Sequence, residues 1–160
     1  MFVSIRNRDK SGLTFALQPN TTGIVLYNDT GAAIVKGDAL KIGYSTTASE
    51  VVLGQFAQAQ ALATDSVGLT RVVIALEAVA IAGMGYFALE GQVDECNCLN
   101  SSAITLGQSL KPVATKDYLV LDHATTPTLA QTAIAMEAYA GTTSVELVKK
   151  VWLIGREVKF

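Results

Sequence analysis

The residues best suited to chemistry in this sequence are a histidine, two cysteines and a pair of glutamates. His123, the only histidine, follows Asp122, and the two could serve in a Ser-His-Asp arrangement. No Gly-x-Ser-x-Gly motif is present to supply an exposed nucleophilic serine. We therefore interpret His123 and Asp122 as residues of a turn rather than of an active site.

Two thiols and two carboxylates lie together in the segment 94–98, Asp-Glu-Cys-Asn-Cys. Cys96 and Cys98 with one distant histidine supply at most three soft ligands, and their spacing differs from that of a zinc knuckle or ribbon. A disulfide between them would close a strained ring. We interpret the segment as a polar loop with two free thiols, and we expect no bound metal.

Glu77 and Glu137 could share acid–base work as paired carboxylates. They occupy equivalent places in two copies of a repeated sequence. This equivalence favours a structural role, with one charge at a strand or interface position in each copy. Gly83-Met84-Gly85 lacks the third glycine and the strand-to-helix context of a dinucleotide site. The sequence therefore predicts a protein that is not an enzyme and holds no cofactor.

The repeat extends over most of the chain. The segment 74–78, Ile-Ala-Leu-Glu-Ala, returns at 134–138 as Ile-Ala-Met-Glu-Ala, an offset of 134 − 74 = 60. The segment 37–41 has an echo at 107–111, an offset of 107 − 37 = 70. The predicted organisation is one β-rich domain, 23–160, that contains two diverged repeats, 31–93 and 101–158.

Composition limits the classes of partner. Half of the 160 residues are hydrophobic and 16% are charged, against about 25% charged residues in an average globular protein. So charge-poor a surface favours assembly with other subunits. The net charge of −2 argues against a nucleic-acid partner, because phosphates require a basic face. No apolar run reaches the roughly 18 residues of a membrane span, and no signal peptide is recognisable, so we expect no membrane partner.

Short apolar segments separated by Gly, Asn, Asp and Thr predict a mainly β fold. We expect a compact β-barrel or sandwich of short antiparallel strands. Val51–Leu53 is predicted to be a strand, and Trp152 is predicted to lie in the core. Two segments, Phe56–Leu62 and Leu129–Tyr139, stay open between strand and helix, because they combine helix-forming residues with strand-like features.

Residues 1–22 are predicted to be either an N-terminal arm that reaches a neighbour or the first strand of the barrel. Apolar and polar residues alternate over part of this segment, which is typical of a strand. Three basic residues and one acidic residue give it a charge of +3 − 1 = +2, so it is the most basic piece of an acidic protein. The residues of this segment predicted to contact a neighbour are Phe2, Ile5, Arg6, Arg8 and Lys10.

A series of turn-and-strand motifs resembles tailed-bacteriophage capsid decoration (cement) proteins. Asn28–Gly31 is followed by Ile34–Leu40 with its Lys-Gly-Asp turn, then by Val73–Ala78 and Gly85–Val93. In that family an Asn-x-Thr-Gly turn leads to a Lys-Gly-Asp turn and a strand, and a Gly-x-Ala-Leu-Glu-like strand follows. The likeness covers roughly residues 24–113. The chain departs from the pattern at Ile74, where the family has glycine, and in its N-terminal arm and long 44–70 segment.

This resemblance implies a β-barrel or β-tulip-like domain that forms a homotrimer on the outside of a virion. It also implies a capsid as the neighbour that Phe2, Ile5, Arg6, Arg8 and Lys10 contact. The protein would be made in the host cytoplasm and would stiffen the head by bridging subunits of the major capsid protein. A second reading is another phage structural subunit, such as a tail-tube or head-completion protein. A third is a small β-barrel enzyme or ligand-binding module that uses Glu77, Glu137 or His123.

Overall fold

The computed structural model describes residues 20–55, 57–62, 71–122 and 132–154. Within 142–145 it describes the backbone alone. The described residues form strands and one short helix. In chain order the elements are β1 (Thr21–Asn28), β2 (Ala39–Tyr44), α1 (Ala48–Val52), β3 (Ala57–Gln60), β4 (Val72–Ala75), β5 (Met84–Asn100), β6 (Ser109–Pro112), β7 (Leu119–Leu121), β8 (Ala133–Ala135) and β9 (Thr142–Leu153).

The strands close into two rings that share β5. The first barrel runs β1-β3-β2-β4-β5 and closes through the β1–β5 pairing. The second barrel runs β5-β7-β6-β8-β9 and closes through the β5–β9 pairing. The predicted mainly β, barrel-containing fold is confirmed. Most pairs are antiparallel, but β1–β3 and β5–β7 are parallel, and β5 is 17 residues long rather than short.

The strand register makes the two barrels equivalent residue by residue. In the first barrel Ala39 lies opposite Ile74, and Ile74 lies opposite Ala88. We call these three residues the first-barrel row. They point away from the interior of the first barrel, because their chain neighbours Leu40 and Phe87 belong to its separate core cluster.

The second-barrel row is Ser109, Ile134 and Trp152, which lie opposite one another in the same order. The first two pairs of the rows have offsets of 109 − 39 = 70 and 134 − 74 = 60, and the third pair has an offset of 152 − 88 = 64. The first two match the sequence repeat. Divergent sequence has therefore kept the same strand pairing in both halves.

The long strand β5 passes from one barrel to the other at Gly91. This residue pairs with Thr21 of the first barrel on one side and with Leu153 of the second on the other. Its φ of +97° lies in the left-handed region that favours glycine. A side chain here would also collide with the backbone carbonyl of Asn20. Glycine is thus required at the point where the shared strand changes barrel.

The core has two parts. The interior of the first barrel is one cluster, and the interior of the second barrel forms another that also includes the first-barrel row. The first cluster contains Leu26, Ile34, Leu40, Ala59, Val73, Ala75, Val79, Phe87 and Leu89. The second contains Ala39, Leu62, Val72, Ile74, Ala88, Val93, Cys96, Cys98, Ile104, Leu110, Leu119, Ala133, Ala135, Tyr139, Val151 and Leu153.

Three local predictions are wrong. The segment 94–98 is not a loop but part of β5, where a register shift between Val93 and Cys96 disturbs the alternation expected of a strand. Val51–Leu53 is the end of α1 and the residue after it, held by a hydrogen bond of 3.1 Å from the Val51 N–H to the Thr47 carbonyl. Trp152 lies outside the core with 40% of its surface exposed, because Val151 and Leu153 take the inward positions.

The two segments whose sequences fit both strand and helix, Phe56–Leu62 and Leu129–Tyr139, contain strands where the structure describes them. Ala57–Gln60 forms β3 between β1 and β2. Within 129–139, residues 133–135 form β8, Tyr139 makes an isolated bridge to Ile104, and the described part contains no helix.

Candidate interaction surface

Glu77 and Glu137 make the same backbone contact in the two barrels. The Oε1 atom of Glu77 accepts a hydrogen bond of 2.9 Å from the Tyr86 N–H. The Oε1 atom of Glu137 accepts one of 2.8 Å from the Lys150 N–H. Each carboxylate therefore ties the bend after β4 or β8 to the next long strand. This contact is the structural role that the repeat predicts for one charge in each copy.

The two cysteines are free and fully buried in the second barrel. The neighbouring Cys98 thiol, and then burial, raise the pKa of the Cys96 thiol well above its usual value. Cys96 is therefore a protonated core residue rather than a reactive thiolate. Within the part of the chain that the structure describes, no group of three or more His, Cys, Asp or Glu side chains could hold a metal ion.

His123 lies outside the described residues, so its predicted turn role stays a prediction. Its neighbour Asp122 is buried, and one carboxylate oxygen lies 3.5 Å from the Lys111 Nζ atom. Asp122, which follows β7, thus forms a structural ion pair with Lys111 of β6.

A polar cluster joins the two barrels beside the shared strand. The carboxylate of Asp38 accepts hydrogen bonds of 2.7 Å from the Val35 N–H and 2.9 Å from the Asn97 Nδ2 atom. Burial and the negative charge of Asp117 raise the pKa of Asp38, and these two hydrogen bonds oppose them without cancelling the rise. The cluster couples the turn before β2 to the second-barrel half of β5.

The helix α1 turns its polar side inward and its apolar side outward. Glu50 is held by hydrogen bonds from the Ser45 hydroxyl and, at 3.2 Å, from the Gln58 Nε2 atom. No residue of α1 is buried. Val52 and Leu53 are 85% and 70% exposed. An apolar side chain this exposed in a helix without buried residues marks a surface that is suited to a partner.

A second exposed apolar site lies on β9. Trp152 and Ile134 are directly opposite each other across β8 and β9, so their side chains share one outward face. Tryptophan is enriched in the centres of protein interfaces. Large apolar side chains elsewhere on the described surface are Val25, Val35, Tyr44, Ile81, Met84, Leu106 and Val148.

Sequence reasoning missed both surfaces. The sequence Thr47-Ala-Ser-Glu50 has the pattern of a helix start and could have predicted α1, although the Thr47 side chain makes no capping hydrogen bond. Trp152 alternates with Val151 and Leu153, and a strict period of two would have placed it outside.

The predicted contact residues Phe2, Ile5, Arg6, Arg8 and Lys10 all lie outside the described residues, so their role stays a prediction. Among the helices of the described chain, none is long and apolar enough to cross a membrane.

Comparison with known proteins gives a likeness of fold. No family model matches the chain, and no curated protein matches it. Among solved structures it is similar to the N base of head fiber gp8.5 of bacteriophage phi29, with 8% sequence identity and a TM-score of 0.49. The match covers 88% of this chain and 99% of that chain.

Proposed function

We propose that this chain is a structural virion protein that binds the outside of a bacteriophage head and bridges subunits of the major capsid protein. The observation that carries the proposal is the order of turn-and-strand motifs between Asn28 and Val93, which resembles capsid decoration proteins. The proposal assigns the chain no catalytic step, no cofactor and no nucleic-acid partner. The chain acts as a homotrimer at the virion surface.

The described surface supports a binding role. A charge-poor chain with exposed apolar side chains on α1 and β9 has surface to bury against other subunits. Binding that favours the assembled lattice over its free parts stabilises the lattice by mass action. Many copies with modest contacts each would add to a large effect on the whole shell.

The N-terminal arm is the proposed capsid contact. Its charge of +2 is opposite in sign to that of the whole chain, −2, which suits docking to an acidic site. Phe2 and Ile5 would supply apolar anchors, and Arg6, Arg8 and Lys10 would supply the charge. An extended arm can add a strand to a neighbour's sheet edge.

The test is co-sedimentation of the purified protein with expanded heads assembled without it. We expect saturable binding, and we expect that deletion of residues 1–10 or the triple change Arg6→Ala, Arg8→Ala and Lys10→Ala removes most of it. A Lys116→Ala variant, which removes an exposed basic charge from the body, should bind normally. Absence of binding to expanded heads would overturn the proposal, and normal binding by the deletion variant would remove the arm from it.

A further inference from the structure

The first-barrel row is buried although it faces away from its own barrel. Ala39, Ile74 and Ala88 are each fully buried. They belong to the core cluster of the second barrel and not to that of the first. The outer face of the first barrel is therefore one side of an interface within the chain.

The other side of this interface includes the connection between β6 and β7, residues 113–118. The Asp117 carbonyl accepts a hydrogen bond of 2.7 Å from the Ala39 N–H. The Thr115 N–H donates one of 2.8 Å to the Leu62 carbonyl. The internal interface thus pairs an outer strand row of one barrel with the β6–β7 connection of the other.

Each side of this interface has an equivalent elsewhere in the described chain, and both equivalents carry an exposed apolar side chain. The counterpart of the first-barrel row is the second-barrel row. Its Ser109 is buried and its Ile134 partly buried, but Trp152 is 40% exposed where the first barrel has the fully buried Ala88. The row therefore ends in a large aromatic side chain that no other part of the described chain covers fully.

The counterpart of the β6–β7 connection is the β2–β3 connection, residues 45–56, because β2 and β3 hold the places in the first barrel that β6 and β7 hold in the second. This connection contains α1. Val51, Val52 and Leu53 are all exposed there, while Glu50 holds the helix to the barrel through Ser45 and Gln58.

We propose that copies of this chain associate head to tail, with α1 of one copy packed on the Trp152 and Ile134 face of the next. The contact repeats between molecules the arrangement that the two barrels have within one molecule. Because it joins two different surfaces, it is heterologous, and it closes a ring if the rotation between copies permits closure. It supplies the contact for the proposed trimer and rests on that part of the proposed function, but not on binding to a capsid.

The experiment uses two variants of the full chain, Trp152→Ser and Val52→Asp. Both positions are exposed, and each variant removes one half of the contact. The mass of each protein is measured by light scattering behind a sizing column. We expect wild type to be an oligomer and each variant alone to have the monomer mass of 16.8 kDa.

An equimolar mixture of the two variants should then form dimers of one copy each, because the mixture retains one intact contact and cannot extend it. Leu106→Asp, a change at a 70% exposed turn residue outside both surfaces, should keep the wild-type mass. Circular dichroism and the melting temperature confirm that each variant is folded.

Three outcomes would overturn the proposal: a monomeric wild type, variants that keep the wild-type mass, or a mixture that stays monomeric. A monomeric wild type would also remove the trimer from the proposed function, but the test contains no capsid and leaves capsid binding to its own assay. A folded monomeric variant that still binds heads would separate self-association from capsid binding.

Discussion

The two barrels share one backbone plan and fill it with different side chains. The bridge between Ile34 and Val79 in the first barrel returns as a bridge between Ile104 and Tyr139 in the second. The hydrogen bond that Glu77 accepts from the Tyr86 N–H of β5 also returns, as the one that Glu137 accepts from the Lys150 N–H of β9. The backbone contacts have been kept while most of the side chains changed. The comparison teaches that strand pairing and turns define this fold, and it predicts that a core position can change its side chain when another position compensates for the volume.

The placement of aromatic residues in the two cores shows how that volume is kept. Phe87 lies opposite Ala75 in the first barrel, and its counterpart opposite Ala135 in the second is Val151. The second barrel instead has Tyr139 where the first has Val79. Each barrel therefore contains one aromatic residue at this pair of positions, and the two barrels place it on different elements.

The largest expected effect comes from moving the aromatic of the first barrel to the position used by the second. Phe87→Val leaves a cavity and should lower the free energy of unfolding by about 2–3 kcal/mol. Val79→Phe alone overpacks the same cluster and should lower it by about 1–3 kcal/mol. In the double variant, the loss of free energy of unfolding should be smaller than the sum of the two single losses by at least about 1 kcal/mol, because neighbouring core changes couple.

Urea denaturation of the four proteins gives the coupling directly. Val35→Ala, at a side chain that is 61% exposed, should change the free energy of unfolding by less than about 0.5 kcal/mol. If the two core changes add without coupling, the aromatic positions do not compensate and the volume argument fails.

Much of this architecture could be predicted from the sequence. The offsets of 60 and 70 locate the repeats, because turns such as Lys36-Gly37-Asp38 and the strands after them keep recognisable residues. The sharing of β5 could not be predicted, because the bulge at Val93–Cys96 breaks the alternation that identifies a strand. Two polar residues, Asp94 and Glu95, then resemble a loop.

The candidate surfaces were harder to predict than the fold. Val51, Val52 and Leu53 have the composition of a buried strand, and only their tertiary environment turns them outward on α1. The size of Trp152 favours a core position, although its alternation with Val151 and Leu153 indicates an outward one. The exposure of the α1 residues follows from tertiary packing that the local pattern does not encode.

The next effect in size concerns the two carboxylates at equivalent bends. Glu77→Ala removes a charge-assisted hydrogen bond to the Tyr86 N–H at a half-buried site, and should lower the free energy of unfolding by about 1–2 kcal/mol. Glu137→Ala acts at an exposed site, where water replaces the lost acceptor, and should lower it by about 0.5 kcal/mol or less.

Thermal and urea unfolding of both variants measures this difference. The matched controls are Glu77→Gln and Glu137→Gln, which keep an acceptor oxygen and should recover most of the loss. Equal losses in the two barrels, or a larger loss at Glu137, would contradict the view that burial sets the strength of this contact.

The smallest expected effect is the pH dependence that Asp38 of the first barrel contributes. Asp38 and Gln108 are equivalent, and each accepts a hydrogen bond from the backbone three residues earlier, at Val35 and Thr105. Burial and the negative charge of Asp117 raise the pKa of Asp38 above its ordinary value, whereas Gln108 does not titrate. Burial, and then Asp117 and Asp38, also raise the pKa of Glu146 on β9. Asp38→Asn removes one of these causes, which changes the pH dependence in the same direction as the loss of Asp38 itself.

A raised carboxyl pKa means that the folded state binds a proton more readily than the unfolded state. The contribution of Asp38 to stability is therefore complete below the unfolded pKa of about 4 and decreases as the pH rises through the folded pKa. Asp38→Asn removes this titration. It also leaves one acceptor oxygen, in place of two, for the donors at Val35 and Asn97. The stability advantage of wild type over Asp38→Asn should thus be largest near pH 4 and smaller at pH 7, measured by urea denaturation across that range. Gln108→Ala should instead lower the free energy of unfolding by an amount that does not change with pH. If the difference between wild type and Asp38→Asn is also constant with pH, the charge of the Asp38 carboxylate is fully compensated where the two barrels meet.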